Sequence, residues 1–362
     1  MRKKGTSIPV ITLVTEIHDT PTVFRSIRSF CEDLHHVATL CNCLFYVFSI
    51  NDFKETEVNG FYFEDNLWKK KTLPLPHVIY NRIHSRKLEN SQDFHLWKKQ
   101  ISQLGIPIFN DRFLSKWEVH ELISVNNQIN PHLPETYLYS KNHLEKMITI
   151  HPLVFLKPVN GSQGRNIIRI TRTSNGFSVD ISNQTEAIIS FDTLTKLLMF
   201  IDRQLANRPY IIQQGVELLT FENRSLDFRV LCHLNFKEIW KITSIVARVA
   251  ADKQFVSNLS KGGDIIKPLA ALSSSFDQDT SLKLLLQIKE LAIDISTFIN
   301  NRIDGIFGEF GIDIGLDRHE KIWLIEVNSK PSKNFDHPSL SGIRPSAKAI
   351  INYCVLLAKN QN

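Results

Sequence analysis

The 362 residues are 43% hydrophobic and 22% charged, an ordinary globular composition, and that length exceeds one compact core, so two or three domains are expected. With 23 Phe, 7 Tyr and 5 Trp the chain has ample surface to bury, which excludes a disordered protein. A net charge of +6 without a long basic run suits anionic ligands and excludes a nucleic-acid-binding tail.

The basic start, Met1–Lys4, followed by the apolar run Ile8–Val14, has the outline of a signal peptide. No small-residue cleavage site follows; Glu16, His18 and Asp19 come instead, and Ile8–Thr15 reads as a first β-strand. Helical spacing through Val23, Ile27, Phe30, Leu34 and Val37 predicts a helix over Pro21–Leu40, and Leu44–Ile50 and Pro76–Ile83 read as buried strands. Residues 1–110 are therefore expected to form a small open α/β domain. They carry no phosphate loop. The five cysteines lack CxxC spacing and are odd in number, so neither zinc nor a disulfide framework is expected, and a reducing, cytoplasmic setting fits.

From 111 to 214 the expected elements are a short helix over Ser115–Val125 with Ser115 and Glu118 at capping-box spacing, and a strand over Pro134–Tyr139. A helix over Asn142–Ile150 and three strands, Leu153–Val159, Asn166–Thr173 and Phe177–Ile181, follow. Phe191–Ala206 reads as an amphipathic helix that leads into the strand Tyr210–Gln214. From 215 to 362 come strands at Leu226–Asn235, Ile239–Val249, Ile306–Leu316 and Lys321–Val327, with helices over Thr280–Ile299 and Ser346–Lys359. Adjacent strands flanked by helices predict antiparallel sheets in an α+β arrangement. Charged residues interrupt the apolar stretches, Leu284–Ile299 among them, so no segment reads as membrane-spanning.

Three stretches carry chemistry. On a regular strand Glu326 and Asn328 share one face, with Trp323, Ile325 and Val327 on the other, and Asp313 lies between Ile312 and Ile314. Paired through the Asp317–Glu320 turn, these strands would converge two carboxylates and a carboxamide, a donor set that suits Mg²⁺; a solvated sheet face is the plain alternative. Lys157 ends an apolar strand before the turn Asn160–Arg165, where its ammonium and the turn's N–H groups could meet phosphate oxygens; a simple hairpin is the alternative. Asp227 and Arg229 share a strand face, with Arg248 further on, and the acid could steady a phosphate- or carboxylate-binding guanidinium or form only a surface pair.

In order along the chain, PLPHVIYNRI, SKWEVHELI, HLPETYLY, FLKPVNGSQGRNI, YIIQQGV, DFRVL, ARVA, SNLSKGG, GEFGIDIGLD and IWLIEVNSKP resemble the ATP-grasp superfamily, most closely its YheC/YheD endospore-coat-associated branch. The last four also resemble ribosomal-protein-modifying glutamate ligases and glutathione synthetases. The resemblance implies a pre-ATP-grasp α/β domain (1–110) followed by an ATP-grasp fold of two α+β lobes. These are a small lobe (111–214) with a phosphate-covering loop and a C-terminal lobe (215–362) with the metal and substrate site.

It implies that Lys116 and Lys157 bind the nucleotide phosphates under Ser162, Gln163 and Gly164, and that Gln213, Gln214 and Val216 form the hinge facing adenine. Arg229 and Arg248 would hold the transferred phosphoryl group or the substrate carboxylate, with Asn258 nearby. Asp313, Glu326 and Asn328 would hold Mg²⁺, or Mn²⁺ in its place. Where many relatives follow the turn with Gly-Arg-Gly, this chain has Gly164-Arg165-Asn166, and asparagine is the residue besides glycine that best tolerates positive φ.

The implied activity is an ATP-dependent carboxylate–amine ligase working through an acyl phosphate on a small-molecule or peptide pair. A catalytically silent ATP-binding assembly protein of the spore coat, with coat proteins as partners, and a small-molecule phosphotransferase are the alternatives. No nucleic acid or membrane partner is expected. His233 and Cys232 are expected to be packing or surface residues. The clustered acids are expected to repel one another, so that removing one would stabilise the metal-free chain.

Overall fold

The computed structural model describes residues 8–17, 27–161, 164–182, 188–251, 263–333, 336 and 342–360. Ser162, Gln163 and Asn258 lie outside the described residues. The strands gather into three sheets, taken in turn along the chain.

The first sheet holds β1 (Val10–Val14), β2 (Leu44–Phe48), β3 (Val58–Glu64), β4 (Leu67–Leu73), β5 (Val78–Asn81) and β6 (Ile108–Phe109), in the order β4-β3-β2-β1-β5-β6. Strands β1, β2, β5 and β6 pair parallel, which requires crossover connections between them, and β3–β4 is an antiparallel hairpin at the edge. Helices α1 (Arg28–Leu40), α2 (Arg86–Glu89) and α3 (Gln92–Gln103) accompany it.

Helix α4 (Lys116–Ser124) comes next, and its Ser115–Glu118 capping box is formed, which fixes Lys116 at the first helical position. The second sheet is antiparallel throughout and runs β11-β10-β9-β8-β12-β7. Its strands are β7 (Thr136–Leu138), β8 (Leu153–Pro158), β9 (Ile168–Thr173), β10 (Gly176–Ile181), β11 (Ile189–Phe191) and β12 (Tyr210–Gln214). Helices α5 (Lys141–Ile150) and α6 (Leu194–Leu205) cover one face.

The third sheet is also antiparallel. It comprises β13 (Thr220–Phe221), β14 (Arg224–Leu234), β15 (Trp240–Val249), β16 (Asp264–Ile266), β17 (Glu309–Leu316) and β18 (Ile322–Asn328). The order is β16-β15-β14-β17-β18, with β13 on β14, and the helices are α7 (Pro268–Ser273), α8 (Gln278–Asn300) and α9 (Pro345–Lys359). This is the mixed α/β and α+β architecture expected.

The sheets do not make three independent cores. Ile11 and Leu13 of the first sheet share one apolar cluster with Phe228 and Ile312 of the third, with α1, α8 and α9 contributing to it. Val119 and Ile123 of α4 belong to this cluster too. The second sheet instead packs Leu156, Ile170 and Ile212 against Leu144, Met147 and Leu197 in a core of its own. The molecule is thus a two-sheet platform and a separate small lobe.

One regularity fails, with consequences for the site. Asp313 pairs with Glu326 but Ile314 pairs with Leu324, so Ile325 is a β-bulge. The bulge resets the alternation: Ile322, Leu324 and Val327 all enter the core, while Trp323 turns to the other face and donates its indole N–H to Asp317 at 2.9 Å. The expected apolar trio Trp323, Ile325 and Val327 is corrected accordingly.

Candidate active site

The polar face of the third sheet carries the site. Asp227 and Arg229 emerge on the same side of β14 two residues apart, and the register sets Arg248 opposite Asp227, Asp313 opposite Arg229 and Glu326 opposite Asp313. The guanidinium of Arg248 donates to both Asp227 oxygens at 2.6 and 2.7 Å and lies 3.1 Å from Asp313 Oδ2. Arg229 forks onto Asp313, with one bond of 2.8 Å and a shorter one from Nε. Asp227, Arg229, Arg248 and Asp313 are all buried. Burial alone would raise the Asp313 carboxyl, but Arg229 and Arg248 outweigh it and hold it below the usual carboxylate range. Arg248 is pushed above its ordinary value: burial opposes its charge, and Asp227 and Asp313 prevail.

The acids are therefore neutralised by cations rather than set against each other, which overturns the expected mutual repulsion. Arg229 is steadied by Asp313 on the neighbouring strand of the sheet.

Facing this sheet, the small lobe supplies Lys157 at the end of β8, which donates to Gln213 Oε1 at 2.6 Å. Burial pushes the Lys157 ammonium down to about 8, against the pull of Glu326 and Asp313 and with the repulsion of Lys116. Lys116, at the start of α4, reaches both sides: it donates to Gly161 O at 3.0 Å and to Glu326 Oε1 at 2.7 Å. Between the lobes lies a cleft lined by Lys116, Lys157, Thr136, Gln213, Ile211 and Glu326, among others. Its apolar walls with few polar groups suit a flat heteroaromatic ring.

The donor set fits a divalent cation. Asp313 and Glu326 face each other as register partners on adjacent strands, and Asn328, opposite Gly311, lies on the same face with its amide nitrogen 3.5 Å from Asp313 Oδ2. Two carboxylates and a carboxamide are hard oxygen ligands of the number Mg²⁺ takes from protein when phosphates and waters supply the rest. Among the described residues no group of three or more His, Cys, Asp or Glu forms a metal cage, so such an ion would depend on a ligand for its remaining bonds.

This layout, acids on one sheet and lysines on another across an apolar cleft, coincides with a match in sequence: a family model described as "YheC/D like ATP-grasp" covers residues 105–357. The chain belongs to the YheC/D-like ATP-grasp family. Among curated relatives, it is 32% identical over 294 residues to the endospore coat-associated protein YheD of Bacillus subtilis (strain 168), spanning 80% of this chain and 64% of that protein. It is 24% identical over 302 residues to YheC of the same organism, spanning 80% and 78%. Among solved structures it superposes on a D-alanyl-alanine synthetase A from Vibrio cholerae with TM-score 0.58, at 12% identity and covering 98% of this chain and 99% of that one. A Chryseobacterium gregarium RiPP-associated ATP-grasp ligase, solved with ADP and a leader and core peptide, matches with TM-score 0.52, at 13% identity and covering 96% and 97%. Likeness at that identity speaks for the ATP-grasp fold alone.

The residues expected from sequence fall into three groups. Lys116, Lys157, Gln213, Arg229, Arg248, Asp313, Glu326 and Asn328 come together around the cleft and the polar sheet face. Val216 is half-buried in the connection after β12, and the Gln214 side chain accepts from the Glu135 N–H at 3.1 Å. Gly164 and Asn166 both take left-handed conformations, φ 63° and 56°, so asparagine does replace the family's glycine in that turn. Sequence reasoning missed Thr136, Ile211 and His120 in the cleft; their only sequence signal was flanking apolar patterning. Cys232 and His233 are buried, as expected of packing residues, although His233 also has polar partners. Among the described residues no helix is long and apolar enough to cross a membrane.

Proposed function

We propose that this chain is an ATP-dependent carboxylate–amine ligase that binds ATP in the cleft between the second and third sheets. The observation that carries the reading is the approach of Lys116 and Lys157 to the face bearing Asp313, Glu326 and Asn328. Asp313, Glu326 and Asn328 would hold Mg²⁺, or Mn²⁺; when bound it offsets the charge of the β- and γ-phosphates. Lys157 and Lys116 bind phosphate oxygens, Lys116 exchanging its bond with Glu326 for one to the nucleotide. Gln213 and Thr136 would flank the base, with Val216 in the hinge and Gly164 in the phosphate cover; the roles that the family resemblance implies for Ser162, Gln163 and, near Arg229 and Arg248, Asn258 fall on positions outside the described residues.

Arg229 and Arg248, already clamped by Asp313 and Asp227, present positive charge where the transferring phosphoryl group becomes anionic. A substrate carboxylate oxygen forms a bond to the γ-phosphorus as the bond to ADP breaks. An amine nitrogen then bonds to the acyl carbon, releasing phosphate and one proton. Positioning and charge, rather than a protein nucleophile, supply the acceleration. A cytoplasmic setting with spore-coat association is part of this reading; the relatives' names and the free cysteines support it.

The test is incubation of the purified chain with ATP, Mg²⁺ and pools of amino acids or peptides, with ADP and amide product measured together. ADP released in step with an amide supports the reading. Mg²⁺-dependent ATP binding without ADP release for any pair points instead to a silent ATP-binding assembly protein, and a stable phosphorylated product to a phosphotransferase.

A further inference from the structure

Beyond the cleft, a second polar cluster is sealed inside the platform. Glu309 sits on β17 on the same side as Asp313, four residues away, and is buried. One of its oxygens accepts from Tyr80 at 2.7 Å and Asn110 at 2.6 Å, both from the first sheet and its exit, with Arg82 3.6 Å away. The other accepts from Lys333 and lies 3.2 Å from His233 Nε2. Burial would raise this carboxyl, yet Lys333, His233 and Arg82 hold it far below the ordinary carboxylate range.

The segment that follows Asn328, the last of the three proposed metal donors, is tied down at Ser329, Lys330, Pro331 and Lys333. Ser329 accepts from Leu114 N–H at 3.2 Å and donates to Arg112 O at 3.1 Å. Lys330 pairs with Glu89, and Pro331 O accepts from Arg82 at 3.0 Å. Pro331 crosses directly over Gly311, where a Cβ would come within 2.5 Å of its ring. Only glycine permits that approach.

We propose that Glu309 is a positioning residue for the metal centre. By anchoring Lys333 it holds the strap 329–333 across β17 between itself and Asp313, and so sets Asn328 against Asp313 and Glu326. First-sheet residues outside the cleft lining, Tyr80 among them, thereby govern metal-dependent nucleotide binding through Glu309. This rests on the ligase reading only in taking Asp313, Glu326 and Asn328 as the metal donors.

The experiment is calorimetric titration of ADP into the full chain with and without Mg²⁺, for wild type, Glu309→Gln, Lys333→Met and Lys333→Arg, with circular dichroism confirming that each is folded. The inference expects the Mg²⁺-dependent gain in ADP affinity to fall roughly tenfold or more in Glu309→Gln and Lys333→Met. Mg²⁺-free binding should stay within about threefold, and Lys333→Arg should restore most of the gain. A purely structural role would lower thermal stability and leave the gain intact in folded protein, which overturns the inference. Should Glu309→Gln fail to fold, the two Lys333 variants decide alone. A wild type with no Mg²⁺-dependent gain overturns the metal-site reading itself, a result distinct from wild-type gain that the variants retain.

Discussion

The platform and the small lobe meet at the cleft but are built on opposite principles. On the platform, the charged side chains are locked in advance: Arg248 is shared by Asp227 and Asp313, Arg229 forks onto Asp313, and Glu309 gathers Tyr80, Asn110, Arg82, His233 and Lys333. Across the cleft two contacts are open to displacement by a ligand, Lys157 to Gln213 within the small lobe, which has a core of its own, and Lys116 of α4 between Gly161 and Glu326. On the reading proposed above, a fixed electrostatic surface on one side and an exchangeable one on the other would let a nucleotide be clasped without reordering the acids. Preorganised charge of this kind is what stabilises a developing transition state, because no reorganisation is needed at the moment of reaction.

The contrast can be broken most sharply at Glu326, the platform acid that the small lobe side engages. Glu326→Ala is expected to cut ADP release by 10²-fold or more in a coupled assay while circular dichroism stays unchanged. Asp313→Ala should also lose turnover, but with a stability cost of about 3 kcal/mol in urea unfolding, since two buried guanidinium groups lose a shared partner. A rise in stability would restore the repulsion picture that the Arg pairs displaced. The two acids, adjacent on the sheet, should thus separate: one dispensable for folding, the other not.

Lys157 tests the exchangeable side. With its folded value near 8 and its unfolded value higher, the unfolded chain holds more protons between these limits, so nucleotide-free stability should rise with pH from about 8 upward. Nucleotide affinity should do the reverse, flat below that point and declining above it as the ammonium is lost. Lys157→Arg should remove the decline, and an unchanged profile would show that Lys157 is not at the phosphates. The smallest effect concerns the cap that sets Lys116. Ser115→Ala should cost about 1 kcal/mol of stability and weaken ATP binding by a few-fold in the same calorimetry.

Much of this was legible in the residues. The 3.6-residue spacing of Leu194, Leu197, Leu198, Ile201 and Leu205 gave α6, and the capping box at Ser115 is formed as read. Alternation set Asp227 with Arg229 and Glu326 with Asn328. The β3–β4 hairpin went unread because Lys69, Lys70 and Lys71 break alternation on an exposed edge strand, where burial no longer dictates pattern. The spacing of Phe94, Trp97 and Ile101 after the Ser91 cap carries the signal for α3. The bulge at Ile325 could not be foreseen from alternation, which assumes a regular strand. Nor could the partner of Arg229, since cross-strand register decides it. Glu309 was hidden for the same reason: its partners lie as far away as Tyr80 and Lys333, and only tertiary folding brings them to one carboxylate.

The central claim is that a divalent cation and a triphosphate are held together between the two sheets. Titrating a non-hydrolysable ATP analogue into wild type and Glu326→Ala, each with and without Mg²⁺, tests it most directly. The account predicts that Mg²⁺ tightens binding at least tenfold in wild type and that this gain vanishes in Glu326→Ala. Equal affinities with and without the ion in wild type, or a gain that survives the substitution, would contradict it.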